Sequence, residues 1–405
     1  MKVRLTQIID YWLGVPMAAI FSLIHWLRRR TFKPELSKPK KILFIEISEM
    51  GSAIIAYSSL LRAKELIESN ELYFLVFEKN RESVELLKVI PKEHIITIPD
   101  TSFLSFALGA FKALAKVRAL QIDTVIDMEL FSRFTALFSF ASGASRRVGF
   151  HNYTAEGLYR GTFLTHRVFY NPHQHMSQNF LALVFALSAE KYEEPLLKRN
   201  VSEALLPLPS YEVDNGDKQA IEEMLEERGW SKKGDTKLVV FNPDPGEALP
   251  IRGWPLSSFV EVAKALVEHD PKVLVVVIGL KRSKTYAEAL SKALPLGCCI
   301  DLTGKTKSLS QVVTLFTMSK LLIGNDSGPA HFAALTKIPI LTLYGPETPA
   351  LYGPLSDKAE NLYSGYACSP CLSAANHRHS ICRDSKCLKA ISPEIVIETA
   401  LRMLN

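Results

Sequence analysis

The chain has 405 residues, of which 47% are hydrophobic, and a formal net charge of +6. This length is too great for one ordinary hydrophobic core, so we expect two domains. Residues 1–41 carry +7 and the remaining chain only −1, which argues against a broad nucleic-acid-binding surface and favours a single basic arm.

An apolar segment lies within the basic arm. Residues 8–27 read IIDYWLGVPMAAIFSLIHWL and are followed directly by three arginines. The longest uninterrupted apolar part is shorter than the ~20 residues that span a bilayer, and Asp10 does not suit a secretory signal. We therefore predict that residues 1–40 associate with a membrane surface, with Trp12 and Trp26 at headgroup depth and the body of the chain on the cytoplasmic side. The alternative is a core helix with a basic end.

Residues 41–205 alternate between strand and helix patterns. Residues 41–47, KILFIEI, form an apolar run of strand length, and a turn, Ser48 to Ser52, follows. The remaining predicted elements are a helix at 53–67, strands at 72–77, 95–98, 124–128 and 147–150, and a helix at 132–140. This alternation predicts a parallel, doubly wound sheet.

Residues 151–200 give a weaker pattern, and they contain His151, His166, His173 and His175. Their spacing does not repeat a helical ligand pair, and no carboxylate cluster accompanies them, so a metal site is disfavoured. We predict that these histidines lie at the surface or face a substrate.

A second α/β domain is predicted over residues 206–390, after a linker rich in Pro and Gly. Its predicted elements are helices at 218–228, 257–268, 284–293 and 309–318, and strands at 238–242, 273–278 and 299–302. Two such domains imply a cleft that can hold a ligand.

Residues 321–354 read as a buried strand, a polar turn, a helix that begins at Pro329 and a strand that ends at Gly345. Asp326 or Ser327 is expected to cap the helix. Free backbone N–H groups at the carboxyl edge of a parallel sheet bind anions, so this stretch predicts a phosphate site. The alternative is an ordinary capped helix.

Four of the six cysteines lie near the C-terminus. Cys368, Cys371, Cys382 and Cys387 have the spacing C-x2-C-x10-C-x4-C, which is compatible with a tetrahedral structural zinc site. Two nearby histidines blur the choice of ligands. Because a large chain without a secretory signal is expected in the cytosol, reduced thiols are the favoured alternative, with a disulfide also open.

Four motifs follow one another along the chain: ILFIEISEMGS, then VIDMELFSRF with RRVGF, then FNPDPGEALPIRGWP, then IGNDSGPAHFAALTKIPILTLYGPETP. Together they resemble the inverting ADP-heptose:lipopolysaccharide heptosyltransferases, glycosyltransferase family 9, over about residues 40–400. The resemblance implies an α/β GT-B architecture, with two Rossmann-like domains facing across a cleft. It also implies a sugar nucleotide held mainly by the second domain, no metal requirement and no cofactor.

The positions that match the family's donor-binding block are Asp326, Ser327, Gly328 and His331. Arg252 stands where the family usually carries a Lys before Trp-Pro, and the resemblance implies that it pairs with the donor diphosphate. Arg keeps the charge and adds a bidentate fork. Asn242 begins the turn that leads to the same site; the alternative for that turn is an ordinary strand end.

The sequence departs from the family at Ser52. The family's turn ends in Gly-Asp, and that Asp is the expected general base for the acceptor hydroxyl. Here the pair is Gly51-Ser52, and an unactivated Ser cannot accept a proton at neutral pH. We expect Glu129 to serve as the base, because it follows the carboxyl end of a strand in the same domain, with Glu49 as the second choice. Another route of deprotonation, or a loss of catalysis, stays open.

The resulting prediction is a membrane-associated glycosyltransferase that moves a heptose or similar sugar from a nucleotide donor, ADP-heptose in the first place, to a lipopolysaccharide core or other lipid-linked glycan. Its expected place is the cytoplasmic face of the bacterial inner membrane, bound peripherally or monotopically. The alternative is a catalytically inactive protein that binds a sugar nucleotide or glycolipid. A nicotinamide dehydrogenase is disfavoured because no G-x-G-x-x-G follows the first strand. Residues 391–405 are expected to form a helix, and the resemblance implies that it packs back on the first domain.

Overall fold

In a computed structural model of the chain, the described residues are 3–28, 38–189, 193–232, 234–247 and 249–405. They form two α/β units. Unit 1 consists of Met1–Pro207 and Ser373–His379, and unit 2 consists of Leu208–Leu372 and Ser380–Asn405. Arg29 and Arg30, which belong to the basic segment of the predicted membrane contact, lie outside the described residues.

Unit 1 is built on a six-stranded parallel sheet of order β3-β2-β1-β4-β5-β6. Its strands are β1 (Ile42–Ile45), β2 (Leu72–Phe77), β3 (Ile95–Ile98), β4 (Thr124–Asp127), β5 (Arg146–His151) and β6 (His166–Phe169). Its helices are α1 (Val3–Trp12), α2 (Gly14–Arg28), α3 (Met50–Ile55), α4 (Tyr57–Leu66), α5 (Arg81–Glu85), α6 (Phe103–Ala119), α7 (Arg133–Ala141) and α8 (Met176–Phe185). Strands such as β1 are fully buried, because a parallel sheet is covered on both faces.

The sequence prediction of unit 1 needs three corrections. The single helix expected at 53–67 is divided into α3 and α4. Residues 151–200 contain β6 and α8, which the pattern did not reveal. His166 lies on β6 and is fully buried, so the expectation of a surface or substrate-facing histidine is wrong for it.

The N-terminal helices pack on α7. Ala18 and Phe21 contact the apolar side of α7, and the Phe21 and Phe140 ring centroids lie 4.8 Å apart. Asp10, which interrupts the apolar segment, accepts hydrogen bonds from the backbone N–H groups of Arg133 (3.0 Å) and Phe134 (3.2 Å). A carboxylate at this position satisfies the open amides at the first turn of α7.

The opposite side of the N-terminal helices is apolar and exposed, and Trp12 and Trp26 both lie there. Counted through its interruptions, Ile8–Leu27 is long and apolar enough to cross a membrane by length and composition alone. Core helices of soluble proteins pass the same test of length and composition. The packing on α7 therefore says more about the surroundings of this segment than its hydropathy does.

Unit 2 repeats the design with the parallel order β12-β11-β10-β7-β8-β9. Its strands are β7 (Lys237–Asn242), β8 (Val273–Val277), β9 (Cys299–Asp301), β10 (Leu321–Asn325), β11 (Ile340–Tyr344) and β12 (Ala359–Tyr363). Its helices are α9 (Asn215–Glu226), α10 (Leu256–His269), α11 (Lys284–Ala293), α12 (Leu309–Met318), α13 (Gly328–Ala333), α14 (Pro349–Tyr352), α15 (Lys386–Lys389) and α16 (Pro393–Leu404).

The C-terminal helix α16 packs in unit 2, and its expected contact with the first domain stays a prediction. Val396 and Ala400 lie in the core of unit 2, and the indole N–H of Trp254 donates to the carbonyl of Ile391, just before α16, at 3.0 Å. The apolar stripe of α16 is therefore buried within unit 2.

Each sheet has one point where the strand order reverses. In unit 1 the chain moves from β1 outward to β2 and later returns to the other side of β1 with β4. In unit 2 the same reversal separates β7 from β10. The carboxyl ends of the strands beside such a point leave a crevice, which is where open α/β sheets bind ligands.

Candidate functional site

Asn325, the last residue of β10, connects backbone segments at the reversal point of unit 2 through side-chain hydrogen bonds. Its side-chain amide donates to the carbonyl of Pro243 at 2.7 Å, and its side-chain oxygen accepts from the N–H of Trp254 at 2.8 Å. These bonds tie both ends of the loop that follows β7 to the end of β10. Sequence analysis did not assign this role to Asn325, although a buried Asn at a strand end was the available signal.

Arg252 lies in this loop and meets the next residue, Asp326. Its Nη1 donates to Oδ2 of Asp326 at 3.1 Å. Burial raises the pKa of Asp326, and the nearby Arg252 charge opposes that rise. The Nε of Arg252 is buried, and no hydrogen-bond partner for it occurs among the described residues. A guanidinium with an open buried donor is suited to an anionic ligand.

Glu347 is a second buried carboxyl near this pair, and sequence analysis missed it. It follows β11 and occupies the first variable position of Tyr-Gly-Pro-x-x-Pro. Burial raises the pKa of Glu347 well above its usual value; the charge of Asp326 adds to the rise and that of Arg252 opposes it. Burial therefore favours the protonated form of Glu347, which can donate a hydrogen bond.

The other residues of the predicted donor-binding block are Ser327, Gly328 and His331, and the contacts at the start of α13 differ from the predicted ones. Helix α13 begins at Gly328, and neither Asp326 nor Ser327 caps it with a side chain, so the capping prediction is wrong. The Ser327 hydroxyl instead donates to Oδ1 of Asn242 at 2.9 Å. His331 lies buried one turn into α13.

We call Asn242, Arg252, Asn325, Asp326 and Glu347 the donor cluster. Its members come from the ends of β7, β10 and β11 and from the loop after β7. The structure thus brings together residues of two separate motifs, FNPDPGEALPIRGWP and IGNDSGPAHFAALTKIPILTLYGPETP, at the reversal point. The predicted phosphate site stays a prediction, and the open buried Nε of Arg252 favours this guanidinium over the short helix α13 as the anion-binding group.

The reversal point of unit 1 holds a group of acidic side chains. Glu46 follows β1, Asp127 ends β4, and Glu129 follows two residues later. Burial raises the pKa of Asp127 to about 6, although its ion pair with Arg160 opposes the rise. Burial and the neighbouring Glu129 raise the pKa of Glu46 well above its usual value. We call Glu46, Glu49, Asp127 and Glu129 the acid cluster.

Glu129, the preferred base from sequence, is 2% exposed. Its Oε1 accepts hydrogen bonds from the backbone N–H groups of Ile47 (3.1 Å) and Ser48 (3.0 Å) and from the Ser48 hydroxyl (2.7 Å). Such a carboxylate holds the turn after β1 in place. Its buried and occupied oxygen is poorly placed to receive a proton from a substrate.

Glu49, the second choice, is more accessible to solvent than Glu129. Its side chain is 34% exposed, and Ser52 Oγ donates to its Oε2 at 3.3 Å. Arg378 forms an ion pair with its Oε1. Gly51 and Ser52, which follow in α3, are buried. Within this turn, Glu49 therefore provides the carboxylate that solvent or a ligand can reach.

Arg378 belongs to the segment Ser373–His379, which the chain contributes to unit 1 after most of unit 2. Its guanidinium lies 4.4 Å from the Phe131 ring centroid. Burial lowers the pKa of Arg378 to about 10 and the charge of Glu46 opposes this, so the group stays protonated at neutral pH. No local sequence pattern connects Arg378 with Glu49.

The C-terminal cysteines do not form the zinc site that their spacing allowed. All six cysteines of the chain are free thiols, so the disulfide alternative is also unsupported. Within the described part of the chain, no three His, Cys, Asp or Glu side chains are arranged to hold a metal ion. Burial raises the pKa of the Cys387 thiol, which keeps it protonated.

Comparison with known proteins identifies relatives for most of the chain. Glycosyltransferase family 9 (heptosyltransferase) matches residues 110–381. The chain is 33% identical over 129 residues to lipooligosaccharide heptosyltransferase 2 of Haemophilus influenzae, covering 31% of this chain and 36% of that protein. It is 27% identical over 241 residues to lipopolysaccharide heptosyltransferase 2 of Escherichia coli, covering 57% and 63%. These alignments thus span between about a third and two thirds of the relatives' lengths.

Two solved structures share the fold. The E. coli ADP-heptose lps heptosyltransferase II has a TM-score of 0.67 at 22% identity, covering 90% of this chain and 98% of that chain. The glycosyl transferase family 9 protein from Veillonella parvula DSM 2008 has a TM-score of 0.69 at 21% identity, covering 91% and 98%. The predicted GT-B fold class is confirmed.

Proposed function

The chain belongs to glycosyltransferase family 9, and we propose that it moves a heptose or similar sugar from a nucleotide donor to a lipopolysaccharide core or another lipid-linked glycan. ADP-heptose is the proposed donor. The observation that carries the proposal is the Arg252–Asp326 pair, fixed at the reversal point of unit 2 with a buried guanidinium Nε left open. The names of the curated relatives, lipooligosaccharide and lipopolysaccharide heptosyltransferases, support the choice of sugar and acceptor.

The donor cluster suits a diphosphate electrostatically. Two ionised carboxylates beside Arg252 would repel a dianion, but burial raises the pKa of both Asp326 and Glu347. A ligand phosphate can then take the guanidinium as its main charge partner, in a bidentate geometry. Asn242, Ser327, Gly328 and His331 are proposed to line the same donor site. The proposal includes no metal or cofactor.

Glu49 is the proposed general base. In the step it serves, Glu49 takes the proton of an acceptor hydroxyl while that oxygen bonds to the anomeric carbon of the donor sugar. The bond from that carbon to the diphosphate breaks, and the nucleoside diphosphate leaves with the electron pair, so the configuration at carbon inverts. Ser52 and Arg378 act as positioning residues, because each holds one oxygen of the Glu49 carboxylate.

Because the proposed acceptor is linked to a lipid, we propose that the protein binds the cytoplasmic face of the inner membrane. The exposed apolar side of α1 and α2, with Trp12 and Trp26, is the proposed membrane contact. The basic residues that follow in the sequence would strengthen the attraction to anionic lipids.

A second candidate function follows from Ser52. A chain that lacks the family's Asp at this position could bind the donor or a glycolipid without transferring the sugar. The first candidate requires donor binding and release of the nucleoside diphosphate on addition of an acceptor, whereas the second requires only binding of the donor or of a glycolipid.

The test combines binding and turnover. ADP-heptose should raise the melting temperature of the protein more than ADP-glucose or UDP-sugars do, because a ligand that binds only the folded state stabilises it. Acceptor-dependent release of ADP then distinguishes transfer from binding. Stabilisation without turnover would favour the binding protein, and no stabilisation by any nucleotide sugar would contradict both sugar transfer and donor binding.

A further inference from the structure

Helix α6 of unit 1 presents large apolar side chains to solvent. Leu104 is 68% exposed, Leu108 55% and Phe111 72%. Their i, i+4, i+7 spacing places them on one face of the helix, which we call the α6 stripe. The other side of α6 already packs in the core through Ala113 and Val117. The helix is therefore apolar on both sides, whereas a surface helix of a soluble domain usually carries polar groups outward.

The charges of α6 are of one sign. Lys112, Lys116 and Arg118 lie in its C-terminal half, and residues 103–119 contain no Asp or Glu. Lys112 and Lys116 are exposed. A second copy of the chain docked stripe to stripe would bring these cations together, whereas anionic lipid headgroups would complement them. The charge pattern thus favours a lipid surface as the occupant.

The N-terminus of α7 connects α6 with the N-terminal helices. The Phe106 ring of α6 lies 4.8 Å from the Phe134 ring of α7, measured between centroids. The neighbouring Arg133 guanidinium lies 5.5 Å from the Tyr11 ring of α1 and is paired with Asp10. The α6 stripe and the exposed side of α1 and α2 therefore belong to one packed assembly within unit 1.

We propose that the α6 stripe is a second membrane-binding element, which inserts Leu104, Leu108 and Phe111 into the headgroup region of an anionic bilayer. This inference rests on the membrane location in the proposed function and is independent of sugar transfer. Two contacts anchor a protein more firmly than either alone, because the second one binds at a high effective concentration.

The first experiment measures cosedimentation of the full chain with vesicles of phosphatidylethanolamine and phosphatidylglycerol, mixed at about three to one. The triple variant Leu104→Ser, Leu108→Ser, Phe111→Ser should lower the partition coefficient at least about tenfold, since three apolar side chains no longer enter the interface. The matched control changes three exposed apolar residues of unit 2, Leu280→Ser, Leu296→Ser and Ile381→Ser, and should leave partitioning unchanged. Equal partitioning of the triple variant and the unchanged chain would overturn the proposal.

A second experiment reports on α6 even if the N-terminal helices bind so firmly that cosedimentation saturates. A tryptophan placed by Phe111→Trp should gain fluorescence quenching from lipids with brominated acyl chains, beyond the quenching of the unchanged chain. Leu280→Trp should gain none. Absence of additional quenching at position 111 would overturn the proposal, as would a concentration-dependent dimer that the triple variant abolishes without loss of vesicle binding.

Transfer to a soluble, lipid-free acceptor saccharide separates this proposal from the proposed function. The triple variant should match the unchanged chain in that assay, because the α6 stripe contains none of the donor or acid cluster residues. If neither protein transfers sugar while the vesicle results hold, the proposed activity fails and the membrane contact stands.

Discussion

The Ser52 hydroxyl donates a hydrogen bond to the Glu49 carboxylate at 3.3 Å. The residue in the family's base position thus supports a carboxylate three positions earlier. We predict that Glu49→Gln lowers kcat about 10²- to 10⁴-fold, the usual contribution of a general base. ADP-heptose affinity, measured by calorimetry, should stay unchanged because Glu49 is not part of the donor cluster.

Glu129→Gln is the matched control for this experiment, since it makes the same chemical change in the same acid cluster. It should lower the melting temperature, because the Glu129 carboxylate receives three hydrogen bonds from Ile47 and Ser48. The folded variant should retain transfer at low temperature. The reverse pattern, with Glu129→Gln inactive but stable and Glu49→Gln active, would restore Glu129 as the base.

Ser52→Asp provides a gain-of-function prediction. In the Glu49→Gln background it should recover at least about tenfold in kcat, because it returns a carboxylate to the family's position beside a side chain that can donate a hydrogen bond. Alone, Ser52→Asp should lower stability, since it buries a second negative charge next to Glu49. Kinetics of both variants test this, and an inactive double variant that folds and binds donor would argue against a base in this turn.

The positions of most strands along the chain were predictable, because they follow from local patterns. Apolar runs such as residues 72–77 mark buried strands wherever they occur, and polar residues after them mark the carboxyl edge of a sheet. Arg252 was found through its motif. The choice of Glu129 used the same rule, but sequence could not show that the backbone of a neighbouring strand end already occupies that carboxylate.

Other features depend on long-range packing. Arg378 contacts Glu49 from a segment far along the chain. The φ angles of His377 (54°) and Arg378 (55°) are positive, and neither position carries the glycine or asparagine from which such an angle can be predicted. Helix α6 escaped prediction for a different reason. Apolar residues on both of its sides hide the period of 3.6 on which recognition of an amphipathic helix depends.

Arg252 should dominate donor affinity. Arg252→Gln removes the charge and should weaken ADP-heptose binding about 10- to 100-fold, the range of a charge-assisted hydrogen bond. Arg252→Lys keeps the charge without the planar fork and should give an intermediate loss. Calorimetric titration measures both. Arg402→Gln, which breaks an exposed ion pair with Glu360 in the same unit, should have no effect. Equal affinities for all four proteins would remove Arg252 from the donor site.

The last prediction concerns the buried ion pair of Asp127 and Arg160. Burial raises the pKa of Asp127 from 3.8 to about 6, so the folded state holds this proton where the unfolded state releases it. The contribution of Asp127 to stability is therefore complete below about pH 4 and is lost as the pH rises through about 6. Asp127→Asn is neutral at every pH and lacks this dependence.

Denaturant unfolding of unit 1 in the full chain, followed from pH 4 to pH 7, measures the effect. The stability of Asp127→Asn relative to the unchanged chain should increase by up to about 3 kcal/mol over this range, at ~1.36 kcal/mol per pKa unit. Thr135→Val removes a hydroxyl that accepts from Arg160 and favours the ionised form of Asp127, so it should raise the pKa of Asp127 further and strengthen the pH dependence. A relative stability of Asp127→Asn that falls as the pH rises would mean that the attraction of Arg160 outweighs burial and that the pKa of Asp127 is lowered instead.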